Sequence, residues 1–239
     1  MRARLSWLLS AALLATATLQ AADFWTRKKF QDWSAKEIRS LLTDSPWVRA
    51  VLVPVETAAG GGLAVSAAQK PQAGCAACEA SGGGVSTVAV TAPELSRPVT
   101  LRVSWQSALP VKQALVRIRF GDEAGSAAAA AEALSREETA YIVGVSGVPR
   151  QWIPADPSAL EKGAFLRIKG LPPRQPAEVR AAAEGEHVNL LLLFPKQQGG
   201  GRPIAVEDRE VEVSLKFTTT GFSRKFKLKE MVYQGRLEL

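Results

Sequence analysis

The clearest local pattern in the chain is a helix signal between Phe30 and Trp47. Ser34 stands where an N-cap is expected and Glu37 follows three residues later, which is the spacing of a reciprocal capping box. Apolar residues then recur at helical spacing: Ala35, Ile38, Leu41 and Leu42. Pro46 ends the pattern because a proline disfavours helical geometry in the residue before it. The stretch therefore predicts a short amphipathic helix that packs one face on the core.

Further along the chain, alternating apolar and polar residues predict strands. The predicted strands are 47–55, 85–91, 99–105, 140–145, 164–169, 187–194, 210–217 and 222–229, with a turn and a short strand in 230–239. The segment 187–194 is apolar almost throughout, which is typical of a central strand covered on both faces.

Three other segments favour helices. Residues 110–120 fit both a helix and a strand, but proline at the start and basic residues towards the end favour the helix. Residues 124–138 contain a run of alanines followed by further helix formers, and 156–162 predicts one helical turn. We expect an α+β fold, with a largely antiparallel sheet of seven or eight strands carrying two or three helices on one face. The alternative is a β-sandwich with added helices.

The beginning of the chain has the pattern of a secretory signal peptide. Two arginines precede an uncharged apolar run, and small residues surround a cleavage site expected after Ala21. No later apolar run is long enough to cross a bilayer. We expect residues 22–239 to form one domain of an exported protein, periplasmic or extracellular. Residues 56–84 are rich in glycine and alanine and are expected to form a flexible insertion.

The two cysteines, Cys75 and Cys78, lie within this insertion. In an oxidising compartment their spacing favours a small local disulfide. A zinc site would need four ligands, and the chain offers only these cysteines and one histidine, His187. A thioredoxin-like pair should open a helix, for which there is no signal here. Free thiols and a redox or metal role remain as alternatives.

Charge and motifs narrow the possible chemistry. The formal net charge is +7 and falls to +5 when the signal peptide with Arg2 and Arg4 is removed. Basic residues alternate with apolar ones in strands, which is typical of a solvated face, and no motif for nucleic-acid binding is present. The sequence contains no Walker loop, dinucleotide fingerprint or zinc-protease motif. From the sequence we therefore predict no catalytic residue, no bound metal and no cofactor.

Two hypotheses of function follow. The first is a non-enzymatic module that binds a protein or polysaccharide of the cell envelope, with an aromatic platform formed by Trp33, Trp47 and Trp152 as the candidate site. The competing interpretation places these tryptophans in the core, with Trp33 packed on Ile38 beside the helix start. The second hypothesis is an exported hydrolase of polysaccharide or peptide whose carboxylates come from separate strands.

Several motifs resemble those of an uncharacterised group of exported bacterial proteins. They are Asp32–Ser34, Thr43–Trp47, Trp105–Val111, Tyr141–Pro149, Leu192–Pro195 and Phe226–Leu239. The resemblance covers most of the mature chain and implies export, but it implies no activity, cofactor or catalytic residue. The cysteine segment is not part of the shared pattern.

Overall fold

The structure, a computed structural model, describes residues 24–55, 98–197 and 201–239. The expected signal peptide, the glycine-rich insertion, the strand expected at 85–91 and both cysteines lie outside these residues. Across the described ranges, no helix combines the length and apolar character needed to cross a membrane.

Five α-helices occur in the described residues: α1 Phe24–Arg27, α2 Ala35–Thr43, α3 Leu109–Phe120, α4 Ala128–Ser135 and α5 Ser158–Gly163. The helix expected after Ser34 is confirmed as α2. Its capping box is complete, since the Glu37 N–H donates to Ser34 Oγ at 3.3 Å and the Ser34 N–H donates to Glu37 Oε2 at 2.8 Å. The ambiguous segment is helical, as α3. Residues 124–138 form a shorter helix than expected, because a 3₁₀ turn at Gly121–Gly125 precedes α4.

The described residues contain ten strands, which follow the expected order with two additions. They are β1 Val48–Val53, β2 Val99–Trp105, β3 Ala140–Pro149, β4 Ala164–Ile168, β5 Glu178–Glu184, β6 His187–Pro195, β7 Glu210–Lys216, β8 Gly221–Lys227, β9 Val232–Tyr233 and β10 Arg236–Leu237. Sequence reasoning missed β5, and it predicted one short strand where β9 and β10 form a hairpin. The sequence of β5, Glu-Val-Arg-Ala-Ala-Ala-Glu, has no apolar alternation, and this strand is held in the sheet by pairing with β6.

All strand pairs are antiparallel, which confirms the α+β class and the antiparallel character of the sheet. The expectation of one sheet with seven or eight strands is wrong. The strands form a five-stranded sheet in the order β1-β2-β3-β6-β5, a three-stranded sheet in the order β4-β7-β8 and the β9–β10 hairpin. Alternation shows that a strand has one buried face, but it does not show which strand lies beside it.

The two larger sheets contribute to one hydrophobic core. The ring of Trp105 on β2 contacts the ring of Phe226 on β8 edge to face, with 5.8 Å between centroids. The strand expected to be covered on both faces, β6, is instead buried on one face only. Residues such as Leu190 and Leu192 point into the core, while Leu191 and Leu193 on the opposite face are half-buried. The outer face of the five-stranded sheet is thus only partly covered.

Candidate functional site

The three tryptophans expected as a binding platform all lie in the core. Trp33, Trp47 and Trp152 are 1%, 0% and 4% exposed. Their rings pack on other aromatic rings of the fold, at centroid distances of 5.5 Å from Trp33 to Phe24 and 5.6 Å from Trp152 to Phe217. Trp47 also donates its indole N–H to the backbone oxygen of Glu238 at 3.0 Å. The packing of the fold thus covers these rings, and they form no exposed aromatic platform.

A groove crosses the outer face of the five-stranded sheet beside α2 and α3. Strand register places Ala50, Arg102 and Ser146 in one row across β1, β2 and β3, because paired residues share a face. Two adjoining cavities of about 610 and 480 Å³ lie over this surface, and Thr43 and Arg102 line both. Together they form the surface that we call the outer-face groove.

One end of the outer-face groove has apolar walls. Ile38 and Leu42 of α2 face it from one side, and Ile118 of α3, which is 63% exposed, faces it from the other. Leu52 on β1 is also exposed, but it lies towards the other end of the groove, since its partner in the ladder is Thr100, which lines only the larger cavity. Ile118 thus offers an exposed apolar contact to a ligand in the groove, beside the partly covered Leu42.

The same end carries positive charge. Arg39 and Arg102 are exposed, and neither side chain forms a hydrogen bond or an ion pair within the described parts of the chain. Arg117 also lines the groove, but its guanidinium already contacts the backbone oxygen of Gly121. A guanidinium presents a planar set of donors that matches a carboxylate or phosphate. An anionic group can therefore bind at Arg102 without displacing a partner.

The other end of the groove contains residue types used in acyl transfer. Ser146, His187 and Glu184 line the larger cavity, and a β-bulge interrupts the β3–β6 pairing beside Ser146. The described side chains form no hydrogen bond between Ser146 and His187, and Glu184 accepts instead from Asn189 Nδ2 at 2.6 Å. A nucleophile activated by a base requires such a bond. In this arrangement the three side chains present polar groups to a ligand rather than an assembled triad.

Away from the outer-face groove, a further cavity of about 550 Å³ lies near the C-terminal segment and is lined by several carboxylates. Glu138 lies 3.3 Å from the ammonium of Lys112. Glu238 accepts the Leu109 N–H at the start of α3 at 3.1 Å, where a carboxylate is favoured by the helix dipole. Both carboxylates thus have partners that hold the fold together. The described residues contain no cluster of three or more His, Cys, Asp or Glu that could hold a metal ion.

Sequence reasoning missed Arg102 although its signal was present. Arg102 lies between Leu101 and Val103 in a strand with regular alternation, which correctly places it on the outer face. The sequence did not show that this face would stay uncovered, because that depends on where α2 and α3 pack.

Comparison of the chain with known protein families, with curated proteins and with solved structures finds no match. The site thus defines the protein only as an α+β protein with an open, basic and partly apolar sheet face.

Proposed function

We propose that the protein is an exported binding module that holds a component of the cell envelope in the outer-face groove. The observation that carries this proposal is Arg102, an exposed guanidinium with no partner in the described residues, beside apolar walls. Export is supported by the signal-peptide pattern of residues 1–21 and by the resemblance to exported bacterial proteins.

The chemistry of the groove favours a ligand with an anionic group next to an apolar part. Envelope polysaccharides and the peptides attached to them carry carboxylates, for which a guanidinium is a suitable donor. The net positive charge of the mature chain adds a weaker, salt-dependent attraction to such polymers. The groove is open along the sheet, which suits a segment of a long polymer better than a small enclosed molecule.

Co-sedimentation with isolated peptidoglycan tests the proposal. The mature protein, residues 22–239, is expected to pellet with the polymer, and Arg102→Ala is expected to weaken binding about tenfold, which corresponds to about 1.4 kcal/mol for a lost charge-assisted contact. Arg119→Ala is the matched control, because Arg119 is an exposed arginine of α3 outside the groove. Equal loss of binding in both variants would contradict a site at Arg102.

A hydrolase is the second candidate, favoured by the presence of Ser146 and His187 in one cavity. The supernatant of the same assay distinguishes the two functions. Soluble fragments released by the wild-type protein, and absent with Ser146→Ala, would indicate hydrolysis; binding without any release of fragments supports the binding module.

A further inference from the structure

Strand β5 is an unusually accessible edge of the five-stranded sheet. Its only strand neighbour in the described part of the chain is β6. Every residue of β5 is exposed except Val179, which is half-buried, so both faces of the strand are open. Three consecutive alanines, Ala181 to Ala183, keep the side chains short. The backbone groups on the free edge of such a strand can pair with another strand.

The other edge strands are better protected. Strand β8 carries Arg224, Lys225 and Lys227, and basic side chains on an edge discourage further pairing. On β4, Leu166 exchanges backbone hydrogen bonds with Arg174 at 2.9 Å in both directions. On β1, Pro54 follows directly after the strand, and a proline cannot donate a hydrogen bond to a neighbour. Strand β5 carries one basic residue, Arg180, and in the described residues it has neither a further backbone partner like that of β4 nor a proline directly after it.

The charges of β5 match a second copy of the same strand in one register. Arg180, Ala182 and Glu184 share the outer face, since their partners on β6 are Leu191, Asn189 and His187. If Ala182 lies opposite Ala182 of a second copy in antiparallel pairing, Arg180 of each copy faces Glu184 of the other. Opposite charges directly across a ladder are favourable, and like charges are unfavourable.

Neighbouring registers lack this match. A shift of two residues in one direction brings Glu178 opposite Glu184, and a shift of four brings Arg180 opposite itself. A shift of two residues in the other direction leaves no charge pair within β5, because Arg180 is then opposite residue 186 of the turn that follows the strand. In the single chain Arg180 is paired with Glu178, with 2.6 Å between Nε and Oε1. The side chains of Arg180 and Glu178 are 61% and 50% exposed. Exchanging this surface ion pair for one across the strand edge therefore costs little free energy.

We propose that β5 pairs with β5 of a second copy around Ala182, forming a symmetric dimer with a continuous ten-stranded sheet. This inference is independent of the proposed function. A two-fold axis perpendicular to the sheet keeps both outer faces on one side, so the two outer-face grooves lie side by side. Two linked sites bind a repetitive polymer more tightly than either site alone. The contact area of one strand pair is small, so the dimer is expected to be weak and to form at concentrations of about 100 µM.

Cysteine cross-linking tests the register. In a chain with Cys75→Ser and Cys78→Ser, Ala182→Cys is expected to form a disulfide-linked dimer, because residues directly opposite in a ladder have Cβ atoms about 4.5–5.5 Å apart, within a small backbone adjustment of the roughly 3.5–4.5 Å that a disulfide spans. Ala181→Cys is the matched control, since its own counterpart lies diagonally at about 7–8 Å. Equal cross-linking of the two variants would overturn the register.

A charge exchange tests the ion pairs without a cross-link. In sedimentation velocity at about 100 µM, Arg180→Glu is expected to be monomeric, and the double variant Arg180→Glu with Glu184→Arg is expected to recover the dimer. Both positions are exposed, and far-UV circular dichroism verifies that each variant is folded. A wild-type chain that stays monomeric up to about 1 mM, or a double variant that stays monomeric, overturns the proposal.

Discussion

Replacing Tyr233 by phenylalanine tests how the C-terminal segment is anchored on α3. The Tyr233 hydroxyl donates to Gln113 Oε1 at 2.9 Å, and the two residues are only 2% and 6% exposed. Burial raises the pKa of Tyr233 above its usual value, so the hydroxyl keeps its proton and remains a donor at neutral pH. The phenylalanine variant keeps the ring and removes only this donor.

The expected cost follows from what the substitution leaves behind. Without the hydroxyl, Gln113 Oε1 is a buried acceptor that has lost its donor, which costs about 1–3 kcal/mol. We expect Tyr233→Phe to lower the free energy of unfolding by about 2 kcal/mol. Gln113→Leu should cost a similar amount, because it leaves the buried Tyr233 hydroxyl without its acceptor. The double variant removes both polar groups. The double variant should therefore be more stable than the sum of the single effects predicts, by about 1 kcal/mol or more.

Urea unfolding followed by circular dichroism measures these differences in the free energy of unfolding. In thermal unfolding, a loss of about 2 kcal/mol should lower the melting temperature by about 4–8 °C for a chain of this length. Gln151→Leu is the control, because Gln151 is exposed and the same change there should cost less than about 0.5 kcal/mol. The reasoning is refuted if Tyr233→Phe costs no more than the control, or if the two single effects add without coupling.

Two further predictions concern Glu37 and Arg174. Hydrogen bonds from Lys28 and from Ser34 at the helix start lower the pKa of Glu37 from 4.5 to about 2. As the pH falls, the unfolded chain therefore binds a proton at Glu37 before the folded chain does. The stability that these bonds contribute is full above pH 4.5 and is lost as the pH falls towards 2. Thermal unfolding at pH 5 and pH 3 should show a smaller loss for Glu37→Gln than for the wild-type protein, and an equal loss would contradict this assignment. Arg174 is 2% exposed and donates to the backbone oxygens of Pro195, Lys196 and Arg202. Arg174→Met should therefore lower the free energy of unfolding by about 3 kcal/mol. Arg150→Met, at an exposed position, should cost far less, and similar losses for the two variants in urea would refute a structural role for the Arg174 bonds.

Local features were the most predictable part of the fold. The capping box of α2 depends on two residues three positions apart, so both the helix and its start were visible in the sequence. Proline at the beginning of α3 and basic residues at its end likewise identified a helix where the apolar pattern alone was ambiguous. The first and last residues of most strands were predicted within a few positions, because an alternating pattern indicates a strand with one buried face.

Strand β5 could not be predicted from local sequence patterns. Its residues have weak strand preference and no alternation, and they become a strand because β6 offers a row of backbone partners along their whole length. The accessible edge, on which the dimer proposal depends, was therefore invisible before the partners were known.

The candidate site was the least predictable feature. Trp33, Trp47 and Trp152 were plausible either as core residues or as a ligand platform, and only the packing of distant segments places them in the core. Arg102 was visible as an outward-facing residue, but its availability depends on the absence of a covering element and of a charge partner among the described residues. Exposure and charge pairing are properties of the assembled surface.

The sequence by itself determined the start of α2 and the faces that most strands bury, because these depend on neighbouring residues. Only the tertiary structure decided how the strands divide into two larger sheets and a hairpin, which sheet face stays open and which edge strand stays accessible. These choices depend on contacts between residues far apart in the chain, where many alternative pairings satisfy the same local pattern. The outer-face groove and the β5 edge both arise from those long-range choices.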